Sequence, residues 1–315
     1  MPGPAHRSTK GIDETPQAVD HRGGGRARRR PRRHSHPAAA IVGGRNATQH
    51  DGVVSVQILH PGLGTALCGG ELVHRRWIRT AAHCVSRQDV APTPVAVPGE
   101  NVTARIGSLD RTTGGQVVTG KQVYLHHQWM WGVNYPVEPV SDYALVELTR
   151  PVRADLLPTA LRQAPVGGPV RAVGWGLTEF PPPPGVTPPA LLQERDLTRL
   201  PDAACEGGFI GVGDICVSAA PCFGDSGNPL LRKAPGHRIG ARPAWVSVGA
   251  ASRETSAEDP CGGPTVYTDA TYPQHRIWTY NTIRTRKVQP PVWAPRTLTA
   301  TTRELMDRLK LDFTQ

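Results

Sequence analysis

A chain of 315 residues with 34 glycines, 32 prolines and a net charge of +10 can bury one large core or two medium ones, and so many turn formers favour short strands over long helices. The charge sits at the ends: residues 1–40 carry +6, residues 285–315 carry +3, and residues 41–284 carry only +1. This excludes a nucleic-acid-binding domain, which needs its basic patch on the folded part. It also contains no run of roughly 18 apolar residues, so no membrane span is expected.

Residues 1–40 are polar, contain the run Arg26-Ala27-Arg28-Arg29-Arg30-Pro31-Arg32-Arg33, and cannot order themselves around apolar contacts. A disordered basic leader or propeptide is expected. It closes on Pro37-Ala38-Ala39-Ala40, small residues like those of a signal-peptidase site, but without the preceding apolar stretch, so no complete signal peptide is visible. At Ile41 the composition changes to alternating and β-branched residues, with strands expected over 53–59, 66–73 with 77–78, 102–106, 117–125 and 143–148. A second set covers 170–175, 191–200, 214–217, 229–231, 244–251 and 265–269, separated by Gly, Pro and Asp. Two such groups predict an all-β fold of two six-stranded antiparallel barrels, about 41–155 and 156–271. Helical spacing of Ile277, Tyr280 and Ile283 predicts a C-terminal helix, placed at 272–284 in a domain that ends at 284. A Pro-containing linker follows within 285–315, and then a short amphipathic tail with Leu305, Leu309 and Phe313.

Six cysteines, Cys68, Cys84, Cys205, Cys216, Cys222 and Cys261, lack Cys-x-x-Cys or Cys/His metal spacing, so disulfides are expected and no metal or other cofactor. Spacing alone leaves all 15 pairings open.

The stretch Pro221-Cys222-Phe223-Gly224-Asp225-Ser226-Gly227-Asn228-Pro229-Leu230 puts a serine in a tight turn, which by itself is an ordinary surface turn. Three further stretches change its meaning: Trp77-Ile78-Arg79-Thr80-Ala81-Ala82-His83-Cys84, Ser141-Asp142-Tyr143-Ala144-Leu145-Val146-Glu147-Leu148, and Ile41-Val42-Gly43-Gly44. A serine hydroxyl is a poor nucleophile until a neutral imidazole takes its proton, and a carboxylate on the far ring nitrogen fixes the tautomer that can do so. In this order, with Leu67-Cys68-Gly69-Gly70-Glu71-Leu72, Gly174-Trp175-Gly176 and Pro264-Thr265-Val266-Tyr267, residues 41–284 resemble the chymotrypsin-like (trypsin-type) serine protease family.

The resemblance implies a secreted serine endopeptidase that works through an acyl-enzyme in the cleft between two barrels. Ser226 would be the nucleophile, His83 the base and Asp142 its orienting acid, with the N–H groups of Gly224 and Ser226 as oxyanion donors. It implies a zymogen in which cleavage after Ala40 frees an Ile41 ammonium to pair with Asp225. The disulfides would be Cys68–Cys84, Cys205–Cys216 and Cys222–Cys261. Partners would be protein or peptide substrates and proteinaceous inhibitors, and the chain a monomer.

Departures from the family bear on specificity. Ala220 stands where trypsin-like members carry an acid, six residues before Ser226, and Ala40 before the junction suits a trypsin-like activator poorly. The pocket would be bounded by Ala220, Pro221, Ser252, Glu254 and Thr265, and Thr265 would narrow it, so small aliphatic side chains are expected before the scissile bond. Glu254 is the competing clue, favouring a basic side chain if it turns inward. A catalytically silent binding protein is the alternative class. Asn228 replaces a more usual glycine, and Arg79 stands where an apolar residue is common. The Ala/Arg/Pro/Gly-rich composition resembles that of a high-GC, actinobacterial-looking source, where the sequons at Asn46 and Asn101 carry no meaning.

Overall fold

The computed structural model describes residues 41–49, 52–90, 94–131, 141–219, 221–234 and 244–288. The expected leader (1–40), most of the C-terminal linker and tail, and Ala220 lie outside the described residues.

In chain order the strands are β1 (Arg45–Asn46), β2 (Val53–His60), β3 (Gly64–His74), β4 (Trp77–Thr80), β5 (Ser86–Arg87), β6 (Val95–Ala96), β7 (Val102–Ile106), β8 (Gln116–Leu125) and β9 (Ala144–Leu148). Then come β10 (Pro169–Gly174), β11 (Gln193–Thr198), β12 (Asp214–Val217), β13 (Pro229–Lys233), β14 (Trp245–Glu254), β15 (Thr265–Asp269) and the helix α1 (Pro273–Thr285). Strands β2-β3-β4-β9-β8-β7 form a closed antiparallel barrel. β7 shows how the sequence builds it: Val102, Ala104 and Ile106 are buried and Thr103 and Arg105 are less so, the period-two pattern of a strand with one core face. β4 and β9 are buried throughout, because their outer face is covered as well. Trp77 and Leu145 lie there in a cluster with Tyr124, Tyr143 and Trp278 of α1.

The second body is a sheet in the order β1-β11-β10-β13-β14-β15-β12. An antiparallel bridge between Arg199 and Val217 brings β12 back toward the end of β11, so six strands curl round a core of Val170, Ala172, Ile215, Leu230, Val248 and Tyr267. β1 is an addition to that roll, paired to β11 through Arg45 and Glu194. The all-β expectation therefore holds, with one full barrel and a second sheet that closes by a single bridge.

The helix forms as its spacing predicts, and of the three apolar residues that marked it Ile283 packs against the cluster of Trp77 and Trp278. Ile277 and Tyr280 are exposed, while His275, Trp278 and Thr282 are buried. His275 faces inward because both ring nitrogens find partners, one on the Ser141 hydroxyl (2.8 Å) and one on the Asp269 carbonyl (2.7 Å).

The cysteines pair Cys68–Cys84, Cys205–Cys216 and Cys222–Cys261. Between the two bodies lies a buried polar cluster. Arg79, only 1% exposed, donates to Glu71 (2.5 Å), to the Tyr143 hydroxyl and Thr159 Oγ1 (both 2.9 Å) and to Ser247 Oγ of β14 (3.0 Å). Ser247 in turn donates to Glu71 (3.0 Å). Among the described residues no helix is long and apolar enough to cross a membrane.

Candidate active site

β4 ends at Thr80, and the chain turns through Ala81 and Ala82 into a single 3-10 turn, His83–Val85. Both alanines are fully buried, and the disulfide from Cys84 to Cys68 of β3 ties this turn to the barrel wall. Asp142 immediately precedes Tyr143 and β9, β4's neighbour, which brings the two residues together across 59 positions of sequence. His83 Nδ1–H donates to Asp142 Oδ2 (2.7 Å) and the His83 backbone N–H donates to Oδ1 (2.9 Å). Ser252 Oγ donates to Oδ2 (2.7 Å), and Thr268 Oγ1 donates to the Asp142 carbonyl (3.1 Å).

The electrostatics follow from this. Burial works against both charges, but the Asp142 carboxylate beside it raises the His83 pKa, and the imidazole and donor hydrogen bonds lower that of Asp142. Glu254 adds to the upward pull on His83 and Arg253 opposes it. With Asp142 accepting at Nδ1, neutral His83 keeps its lone pair on Nε2 and can act as a base there.

Ser226 is placed beside this turn. Its carbonyl accepts from the Gly69 N–H (2.7 Å), next to Cys68. A Cβ added to Gly227 would lie 2.3 Å from Thr80 Oγ1 and 3.0 Å from Ala81 N, so glycine is what lets the serine turn approach the histidine segment. Gly224 adopts φ +94 and Gly227 φ +78, values open to glycine at little cost. The Leu177 N–H donates to the Phe223 carbonyl (2.8 Å). Among the described residues neither the Gly224 nor the Ser226 N–H has a protein acceptor, so both can donate to a substrate oxygen.

Asp225 points the other way, into the protein. It is 1% exposed and accepts from the Gly176 N–H (2.8 Å) and the Cys222 N–H (3.0 Å). Desolvation outweighs those two bonds and pushes its pKa up to about 7. Gly174 and Gly176 make room for it, since a Cβ on either would meet its carboxylate at 2.0 and 2.5 Å. Ile41 is fully buried in the core of the second body.

Of the residues expected around a pocket, Glu254 and Thr265 face each other across β14 and β15. The Ser252 hydroxyl is committed to Asp142. Its neighbour Arg253 reaches the carbonyls of Gly208 and Phe209 and the Asp214 carboxylate. Pro221 is buried and Glu254 half-buried. Thr265 is buried between Val217 of β12 and Glu254 of β14, and its hydroxyl has no partner among the described residues. Two contacts had no sequence signal: Ser252 to Asp142, which depends on strand register, and Thr268 to the Asp142 carbonyl. The Cys68, His83 and Cys84 ligand atoms lie within 4.8 Å of one another, but both sulfurs are in a disulfide, so this group offers no thiolate to a metal.

The trypsin family profile matches residues 41–277. Human granzyme M is 28% identical over 212 residues, 61% of this chain and 73% of that protein. Human kallikrein-12 is 31% identical over 222 residues, 65% and 77%, and trypsin 5G1 of Aedes aegypti 30% over 208 residues, 61% and 70%. A family match across most of the chain, on a barrel and curled sheet of the expected kind, leads to one conclusion: the chain belongs to the trypsin family of chymotrypsin-like serine proteases.

Proposed function

We propose that this protein is a secreted serine endopeptidase in which Ser226, His83 and Asp142 form the catalytic triad. The observation that supports this most is the Asp142–His83 pair held beside the Ser226 turn, with two backbone N–H groups of that turn left without protein acceptors. Ser226 Oγ forms a bond to the substrate carbonyl carbon as its proton passes to His83 Nε2, and the Gly224 and Ser226 N–H groups stabilise the resulting oxyanion. The carbon–nitrogen bond then breaks, with the proton returned from His83 to the leaving amine. Water repeats the sequence on the acyl-enzyme and releases the acid. The alternative, a catalytically silent binding protein, is distinguished by labelling of the nucleophile.

A fluorophosphonate probe on the processed protein is expected to label Ser226 alone; no labelling would remove the reading. Because His83 must be neutral to act and the Asp142 carboxylate raises its pKa above the ordinary imidazole range against the effect of burial, the labelling rate should rise with pH through the neutral range. A rate flat from pH 5 to 9 would exclude His83 as the base.

The chain is further read as a zymogen, activated by cleavage before Ile41. Buried Asp225 has two neutral donors and no cation among the described residues. An α-ammonium freed at Ile41 would supply that charge and lower the carboxylate's pKa.

Preference for small aliphatic side chains before the scissile bond rests on Thr265, whose side chain fills space beside Val217. Thr265→Gly should raise kcat/KM for a phenylalanine substrate relative to an alanine one by about 10-fold, the scale of a few heavy atoms in an apolar pocket. The competing preference for basic side chains rests on Glu254, half-buried and within electrostatic reach of His83. If Thr265→Gly left the ratio unchanged and Glu254→Gln abolished cleavage after lysine, the basic preference would stand instead.

A further inference from the structure

Asn228, two residues after Ser226, is 1% exposed, and neither its Oδ1 nor its Nδ2 has a hydrogen-bond partner among the described residues. A buried amide without partners carries its full desolvation cost, so such a side chain calls for an explanation. Two glycines, Gly69 and Gly174, border it. A Cβ on Gly69 would lie 1.8 Å from Asn228 Oδ1, and one on Gly174 would lie 2.6 Å from Asn228 Nδ2 and 2.0 Å from Asp225 Oδ1. Amide and carboxylate thus share one small chamber that exists only because both positions are glycine. The Asn228 backbone N–H also donates to the Asp225 carbonyl (3.0 Å), closing a turn that carries the two side chains together.

A carboxylate accepts about four hydrogen bonds, and Asp225 receives two. The amide brings two N–H donors and has used neither. Rotation of its terminal group alone selects which end faces the carboxylate, and the side with an unmet acceptor selects the nitrogen. Charge-assisted bonds of this kind are stronger than neutral ones.

We propose that Asn228 is a positioning residue for the oxyanion loop: its Nδ2 amide completes the donor set of Asp225 while the residues before Ile41 are still attached. The uncleaved chain then keeps Gly224 and Ser226 in reacting geometry and has a basal activity of its own. This rests on Ser226 as nucleophile and Ile41 as activation terminus. A glycine at 228 leaves Asp225 with two donors until an ammonium arrives, and its loop depends on cleavage alone.

The test uses the full chain in two states, with the rate of Ser226 labelling by a fluorophosphonate as readout. The uncut state is locked by Ala40→Glu and its intactness checked by mass; the matured state starts at Ile41 by N-terminal sequencing. With Asn228 present, the uncut chain should label measurably, about 10- to 100-fold slower than the matured one. Asn228→Gly should lower the uncut-to-matured ratio by about a further 10-fold, and Asn228→Asp, which has no N–H to give and adds a second negative charge, at least as far. The ratio separates positioning from general damage, because a folding defect lowers both states together. An unlabelled uncut chain, or a ratio unmoved by either substitution while the matured wild-type protein labels, would overturn the inference and leave the peptidase reading intact. A matured wild-type protein that does not label removes the peptidase reading, and the inference with it.

Discussion

Asp142→Asn should lower kcat by about 10^4 with KM changed no more than a few-fold, the scale seen when the triad acid is neutralised in place. The reason lies in the direction of one hydrogen bond. Asp142 Oδ2 accepts from His83 Nδ1 at 2.7 Å and from Ser252 Oγ at the same distance, while Oδ1 takes the His83 backbone N–H. An asparagine can keep the backbone contact with its oxygen only by turning its NH2 toward Nδ1. The imidazole then carries its proton on Nε2, where the lone pair is needed. Loss of the negative charge also removes the main support for a raised His83 pKa, so the acid limb of the residual activity should move to lower pH. A variant with unchanged kcat would show that Asp142 does not govern the His83 tautomer.

The largest stability effect should come from a pair far from the substrate. Arg79→Leu leaves Glu71, completely buried, with only the Ser247 hydroxyl. Removing one partner of a buried ion pair typically costs about 3–5 kcal/mol, and for a domain of this size that corresponds to a fall of roughly 10 °C in Tm. Burial already drives the Glu71 pKa upward against the pull of Arg79, and without Arg79 the carboxyl should take up a proton on folding. Adding Glu71→Met to Arg79→Leu should recover at least half of the loss, since an apolar pair of similar volume avoids the desolvation cost of both ions. Calorimetry on the two variants decides the point. If the single substitution shifts Tm by less than 2 °C, the cluster is not a structural centre.

The two strand groups and the helix are legible in the sequence, and the candidate site residues are nominated by it, because each depends on local spacing or on a short run of residue types. His83, Asp142 and Ser226 stand at strand ends or in turns, and the structure sets the first two in contact and the third in the adjoining turn. Arg79 could not be interpreted from its own neighbours. In sequence it only stands where an apolar residue is common, yet β3 pairs with β4 so that Glu71 lies directly opposite it, and its other partners come from 64 to 168 residues away. The Ser252 contact to Asp142 depends on register, which β14 shifts with a bulge between Ala251 and Arg253, so spacing along the chain does not reveal it. On α1 the apolar spacing of Ile277, Tyr280 and Ile283 marks the helix but only Ile283 of the three packs inward, whereas hydrogen-bonding capacity places His275 inside. In each case the missing information was the identity of a distant partner.

The pairing of β1 to β11 has a consequence for the fidelity of the activation proposed at Ile41. Arg45 and Asn46 are fixed by strand pairing, by the ion pair of Arg45 with Glu194 (2.8 Å) and by the Ala47 N–H on the Leu192 carbonyl (2.8 Å). A cut before Ile41 therefore frees a leash of only four residues, with a reach of roughly 14 Å at the extended-chain limit. The left-handed Gly43 (φ +70) and the turn from the Gly44 N–H to the Ile41 carbonyl (2.7 Å) give that leash its pivot. On a tether this short the Ile41 ammonium of the proposed zymogen would be offered to Asp225 at an effective concentration on the order of millimolar, above that of dilute free amines or peptides in solution. A cut one residue late would shorten the leash and change its tip. In the proposed zymogen, fidelity of activation would thus be set by chain length as much as by the activating protease.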